Sequence, residues 1–351
     1  MLISTPPEIT LVLGSGRSGT SAVAKGLQAL GCYLGDNLTP AGPMNPKGFF
    51  EDHAIVYEIS EKIIARLGHT WNSLNPFDLS SIVLSDLQEA AEAILIEKFK
   101  LSSWCGFKDP RTSRLLAFWQ PLFQKMALRE SYVLALRNPL SSIASFEKYD
   151  GIDRSKGFWV WLNYIISAIS SILDKTTVVV NYEELLINPK KQLERMHTGL
   201  KCTALMDTTL ITEYSDNFLD TTLSRNQFSY EEFKNNPEAP ALCIKIYDLL
   251  NLVALDKLAF NSNEFKTQWK ELCACYNNFL DNFSSINRVL DRSMEKEIEE
   301  KISRQQQQIA EQQVQLFRQE AFITELLNSR SWRWTKPFRK IASYTKKNKV
   351  L

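Results

Sequence analysis

An α/β fold, with a central parallel sheet flanked by helices and a P-loop-like first turn, is what this 351-residue sequence predicts. Three observations predict it. Short apolar runs at residues 9–13, 131–136 and 176–181 alternate with segments of helical period, the pattern of a parallel sheet covered on both faces. The first run enters a glycine-rich turn, GSGRSGTS from Gly14 to Ser21, and an amphipathic helix follows directly. Later runs end in short polar turns, KDPR from Lys108 to Arg111 and Arg137 onward, where such folds place ligands.

The elements follow in order. Ile9 to Leu13 reads as a buried strand, and Ser21 to Leu30 as a helix with Ala22, Val23, Leu27 and Leu30 on one face. Gly35 to Asp52 is dense in Gly, Pro and Asn, which predicts a long loop of the kind that carries function. Helices are predicted at about Ala54 to Leu67 and Leu84 to Leu101, then strands at Ser103 to Phe107 and Ser131 to Leu136. A helix from Leu140 to Lys148, an aromatic-rich helix near Gly157 to Leu173 and a strand at Thr176 to Asn181 complete an α/β domain over residues 1–230. Residues 231–284 read as a helical subdomain, within a stretch from Cys202 to Phe283 dominated by helical patterns. From 285 to 327 the composition turns to Glu, Gln, Lys and Arg, with Ile302, Ile309, Leu316 and Ile323 at seven-residue spacing. That single seam suits a homodimeric coiled coil over 286–327 or a long helix packed on its own domain, because the other seam position is mostly Gln or Glu.

Composition narrows the class. Apolar content is ample for a sizeable core, and no apolar run approaches the roughly 20 residues that cross a bilayer. The N-terminus has no basic segment ahead of its short hydrophobic stretch, so no secretion signal is expected and the expected location is cytoplasmic. Six scattered cysteines and three histidines, with no CxxC pair, read as reduced thiols rather than disulfides or zinc ligands. Net charge is +1, yet Arg330 to Leu351 holds eight basic and no acidic residues, so the preceding chain nets −7. Within that tail Trp332, Trp334 and Phe338 interleave with Arg330, Arg333, Lys336, Arg339 and Lys340. Such a cationic amphipathic segment, 328–351, suits peripheral association with an anionic membrane on the cytoplasmic face; an unspecific solubilising tail is the plainer reading.

The glycine-rich turn is an anion cradle. Backbone N–H groups from Gly16 to Ser21 point into it, and the positive end of the next helix favours phosphate there. A nucleoside triphosphatase loop would read GxxxxGK[ST], but Thr20 follows Gly19. Gly14, Gly16 and Gly19 satisfy GxGxxG, and Asp36 stands seventeen residues beyond Gly19, so a dinucleotide-dependent oxidoreductase using NAD(P) is one alternative. A non-catalytic nucleotide-binding adaptor assembled by its coiled coil is another.

Together, GSGRSGTS, KDPR and LRNPLSSIASF (Leu136 to Phe146) resemble the sulfotransferases that use 3′-phosphoadenosine 5′-phosphosulfate, particularly their bacterial members, over Ile9 to about Asn226. GFWVWLNYI, from Gly157, and VVVNYEELLINP, from Val178, are similar to that family's aromatic helix and site-supporting strand. The resemblance implies that Arg17, Ser18, Gly19, Thr20 and Ser21, with the Gly16 backbone, hold the 5′-phosphosulfate. It implies also that Arg137 and Ser145, eight residues apart, grip the 3′-phosphate, a second anion site that a nicotinamide cofactor would not require. An arginine leaving a strand and a hydroxyl two turns into the next helix can meet one phosphate from different sides.

Sulfuryl transfer needs in-line positioning and cationic stabilisation of the leaving oxygen and sulfonate. Arg17 is the expected stabiliser of the leaving group and Lys108 the second cation, with no metal expected. For the general base, family members use a strand His or a Glu in the loop after the first helix. Here Glu51 is the first choice, with Asp109 and His53 behind it; a capping carboxylate is the plain reading of Glu51. Phe49, Phe50, Trp71, Trp104 and Trp159 could stack on a sugar or aryl acceptor, or simply fill the core. The segment Asn328 to Lys340 resembles the ends of bacterial enzymes that build or decorate surface polysaccharides, which points to a carbohydrate hydroxyl as acceptor. No nucleic-acid partner is expected.

Overall fold

The computed structural model describes residues 6–43, 45–202, 205–220 and 227–280, together with 303–308, 311–313, 319–321, 325 and 334. Met1–Asn278 clusters as one unit and Phe279–Leu351 as another. The heptad seam, with Ile302, Ile309, Leu316 and Ile323, lies outside the described residues, as does the basic aromatic tail apart from Trp334.

Four strands form one parallel sheet: β1 (Glu8–Leu13), β2 (Trp104–Lys108), β3 (Arg129–Leu136) and β4 (Thr176–Asn181), in the order β2-β1-β3-β4. Their interiors are almost continuously apolar, as a sheet covered on both faces requires. Val12 stands opposite Lys108 on one side and Val133 on the other. The chain leaves β1 for β2 in one direction, whereas β3 and β4 lie in the other. The carboxyl ends of β1 and β3 therefore flank the topological switch point, where open α/β sheets bind ligands.

Helix α1 (Thr20–Ala29) buries Val23, Ala24 and Leu27 in a cluster with Val12, Val133 and Val180. Each fully buried Val or Leu of that cluster contributes about 1.5–3 kcal/mol by leaving water. The predicted loop follows, closed by bridges between Leu38 and Asp52 and between Gly42 and Asn45. A π-helical turn, Ala54–Ser60, runs into α2 (Glu61–Arg66), so the single helix expected there is wider in its first half. Helix α3 (Ser85–Leu101) leads into β2, and a 3-10 turn, Pro110–Arg114, leaves it.

Helix α4 (Leu116–Lys125) is absent from the sequence-based expectation. Its internal Pro121 reads as a breaker, since proline removes one backbone donor. Burial of Leu116, Phe118, Trp119, Leu122 and Phe123 outweighs that loss. Helix α5 (Pro139–Asp150) starts at the Asn138 cap, whose side chain accepts from the Leu140 N–H, and stops at left-handed Gly151. Helix α6 (Arg154–Ile172) is the expected aromatic helix, with Asp153 as its cap. After β4 come α7 (Tyr182–Ile187), α8 (Pro189–Gly199), α9 (Thr208–Thr212), α10 (Tyr230–Lys234) and α11 (Ala241–Ala254), then a helix that begins at residue 263. Helix α11 packs on β3 and β4, and the described residues after 230 cluster with the sheet as far as Asn278. Among the described residues, no helix is long and apolar enough to cross a membrane.

Candidate functional site

A cavity of about 440 Å³, within the range of small-molecule sites, opens at the switch point. The glycine-rich turn forms its floor. Three left-handed or extended positive-φ residues shape it: Gly14 at φ 140°, Arg17 at 64° and Gly19 at 84°. Gly19 has a second reason to be glycine, because a Cβ there would collide with the Tyr182 ring. Gly19 is also the N-cap of α1 and offers no side chain to cap it. The orphan donors of the first helical turn therefore remain for an anion.

The turn is tied down from three sides. The Ser113 hydroxyl accepts from the Gly14 N–H at 2.9 Å and donates to the Gly14 carbonyl at 3.0 Å. Ser18 is fully buried and donates to the Ser15 carbonyl at 2.7 Å. Its hydroxyl shapes the loop, so Ser18 has only its backbone N–H to offer a ligand. Arg137, at the tip of β3, donates from Nη1 to the Arg17 carbonyl at 3.0 Å, and Tyr182 lies under its guanidinium at 5.0 Å. Burial disfavours the charge of Arg137 and lowers its pKa, with Tyr182 and Glu183 opposing that shift.

Gly16, Arg17, Gly19, Thr20, Ser21, Glu51, Lys108, Arg137 and Ser145 all line the cavity. Arg17 directs its guanidinium onto Asp150, with Nε 3.2 Å and Nη2 3.1 Å from the carboxylate, and lies over the Tyr149 ring. Ser21 donates to the Phe49 carbonyl and accepts from Asn45, which draws the long loop over the start of α1. Lys108, fully buried at the tip of β2, donates to Glu51 Oε1 at 2.6 Å. Desolvation lowers the pKa of Lys108, and the Glu51 charge and hydrogen bond pull it back up. Arg111 Nη2 stands 3.8 Å from Glu51 Oε2 while its Nε binds Asp109.

The remaining base candidates fall elsewhere. Asp109 is fully buried and accepts from the Arg111 backbone and side chain, as the cap of the 3-10 turn. His53 is exposed and leans on Tyr57. Neither lines the cavity, and Asp36, which accepts from the Tyr33 hydroxyl, does not line it either. Of the aromatic candidates Phe49 and Trp71 line it, whereas Phe50, Trp104 and Trp159 do not. Sequence reading missed Ser113, Tyr149, Asp150, Tyr164 and Tyr182; only Tyr182, directly after a strand tip, carried a positional signal. Among the described residues, no group of three or more His, Cys, Asp or Glu side chains is placed to share a metal ion.

Fold and site together define an α/β protein with a cationic, aromatic-walled cavity between adjacent strand tips. No protein-family model and no curated protein matches the chain. Among solved structures it is similar to the sulfotransferase domain from the Synechococcus PCC 7002 olefin synthase, at 14% identity over 79% of this chain and 97% of that one, with a TM-score of 0.38. It is similar also to the sulfotransferase domain from the curacin biosynthetic pathway, at 17% identity over 77% and 99%, with a TM-score of 0.35.

Proposed function

We propose that this protein transfers a sulfuryl group from 3′-phosphoadenosine 5′-phosphosulfate to an acceptor hydroxyl on a carbohydrate, without a metal. One observation carries the reading. The glycine-rich turn after β1 and the Arg137–Ser145 pair after β3 line one cavity on neighbouring strands. Two anion sites at that separation suit a nucleotide phosphorylated on both ends of its ribose.

In this reading the turn and the first-turn N–H groups of α1 hold the 5′-phosphosulfate, while Arg137 and Ser145 hold the 3′-phosphate. Glu51 accepts the acceptor proton as the new oxygen–sulfur bond forms and the bond from sulfur to the 5′-phosphate oxygen breaks. Arg17 neutralises the departing bisphosphate, exchanging Asp150 for the ligand. Lys108, fixed by its ion pair with Glu51, faces the sulfonate oxygens as charge spreads over them. Adenosine 3′,5′-bisphosphate leaves with the negative charge.

Calorimetry tests the donor site directly. Adenosine 3′,5′-bisphosphate is expected to bind and NAD not to, and Arg137→Ala to weaken the bisphosphate about 100-fold, as loss of a charge-assisted bidentate contact costs about 1.5–3 kcal/mol. Equal affinity for NAD would instead restore the oxidoreductase reading. Transfer of labelled sulfate to a panel of sugars and phenols separates an enzyme from a nucleotide-binding adaptor.

A further inference from the structure

A short segment, the 3-10 turn Pro110–Arg114 that leaves β2, touches three parts of the cavity. Ser113 holds Gly14 of the anion cradle, and Arg111 reaches the Glu51 carboxylate. The hydrogen bonds of Arg114 go to one loop. Arg114 donates to the carbonyls of Ser73 at 2.8 Å and Asn75 at 2.7 Å, and more distantly to that of Trp71. The Phe77 ring lies 3.6 Å from its guanidinium carbon. Arg114 is buried and, among the described residues, forms no ion pair.

Two more buried side chains join it. Tyr164 donates to the Trp71 carbonyl at 2.9 Å, and Asn163 donates to the Leu74 carbonyl at 2.9 Å. Four successive non-helical carbonyl positions, from 71 to 75 with one gap, are thus held by three buried donors. A buried guanidinium without a carboxylate is costly unless its hydrogen bonds are good. A surface loop with no task beyond connecting α2 to α3 does not require such a frame. What the frame presents is Trp71, which lines the cavity with its indole centroid 5.6 Å from that of Phe146.

From this geometry we infer that Trp71 is the acceptor platform: a pyranose, through the C–H groups of one face, or an aryl ring lies on the indole, and Arg114 is the positioning residue that holds the platform in place. The inference rests on the sulfuryl-transfer reading above. The donor, spanning the β1 and β3 tips, leaves the β2 side of the cavity for the acceptor. That side carries Glu51, Lys108 and Arg111, and the same turn that fixes Arg111 fixes the Trp71 loop. Trp71 and Glu51 line that same cavity, each tied to the 3-10 turn, the one through Arg114 and the other through Arg111. Stacking is tolerant of substituents, so the platform selects a ring and the polar rim selects its hydroxyl.

Titration calorimetry on the full chain saturated with adenosine 3′,5′-bisphosphate tests this, with monosaccharides, nitrophenyl glycosides and nitrophenol as the probes. Binding of the sugars assigns a glycan ring and binding of nitrophenol alone an aryl ring. Trp71→Ala is expected to weaken the bound ring about tenfold or more, Trp71→Phe to retain most of the affinity, and both to bind the bisphosphate as the parent does. Arg114→Met is expected to reproduce the Trp71→Ala loss with bisphosphate affinity intact. In the transfer assay the same variants raise the acceptor KM and leave the donor KM unchanged.

Unchanged ring binding in Trp71→Ala overturns the platform, as does failure of every ring probe to bind the parent chain. Weakened bisphosphate binding in Trp71→Ala also overturns it, by assigning the indole to adenine. Should Arg114→Met fail to fold, the two Trp71 variants decide the matter. If the parent chain does not bind the bisphosphate, the sulfuryl-transfer reading itself falls, which separates that failure from those of the platform.

Discussion

Glu51 and Lys108 lie 57 positions apart in the chain and meet at 2.6 Å inside the cavity wall, an arrangement that holds a carboxylate and a cation at one point of the cavity. Replacing Glu51 with Gln keeps the shape and removes the proton acceptor. Turnover is expected to fall about 100-fold or more, with bisphosphate affinity within about twofold of the parent by calorimetry; retained turnover removes Glu51 from the role. Lys108 supplies a pH dependence of known sign. Burial lowers its pKa in the folded chain below the ordinary lysine value, which the unfolded chain keeps. Between the two values the unfolded chain binds a proton that the folded chain has released, so stability rises with pH across that window. Activity runs the other way, because a neutral amine neither neutralises sulfonate nor pairs with Glu51. The basic limb of the pH–rate profile is therefore expected below the usual lysine range. In Lys108→Arg it moves to higher pH, since a guanidinium keeps its charge; a limb that stays in place assigns it to another group.

Between elements, the decisive ties are those that close the long loop over residues 35–52. Lys98 on α3 donates to the Leu34 carbonyl at 2.6 Å and pairs with Asp52 at 2.5 Å, so one buried ammonium joins the two ends of that loop. Asp52 in turn accepts from the Ala54 and Ile55 N–H groups, starting the helical turn that follows Glu51. Removing the amine with Lys98→Met strands a buried carboxylate. Stability to urea is expected to drop by about 3 kcal/mol, and a loss under about 0.5 kcal/mol would show the pair to be dispensable. None of this was legible beforehand, because Lys98 sits mid-helix in a segment of ordinary amphipathic pattern and its partners lie 46 and 64 positions away. What the sequence does declare is local: short apolar runs for β1, β3 and β4, and the helical periods of α5 and α6. The anion cradle is legible for the same reason, since its glycines, hydroxyls and helix are contiguous. Ser113, Arg114 and Asp150 are not, since each acts through a partner brought close only by the sheet. Helix α4 fails in the opposite sense, its local proline signal being overridden by burial of Phe118, Trp119 and Phe123.

Across the sheet, the order β2-β1-β3-β4 divides the work, with the proposed base on the β2 side and Arg137 and Tyr182 on the β3 and β4 tips. On the proposed reading such a site links nucleotide binding to the stability of the entire unit, because the cradle, α1, α5 and the tips of three strands must all be folded to hold the ligand. A ligand that binds only the folded chain adds about 2.7 kcal/mol at 100 times its Kd, which raises the midpoint of thermal unfolding by about 5 °C or more for a unit of this size. Adenosine 3′,5′-bisphosphate is expected to give that shift, and adenosine 5′-monophosphate a much smaller one, because it leaves Arg137 and Ser145 without their phosphate. In Arg137→Ala the two nucleotides should become nearly equivalent, both bound by the cradle alone. Equal shifts from the two nucleotides in the parent chain would mean that the β3 tip does not read the 3′-phosphate, and the cavity would then be a single-anion site.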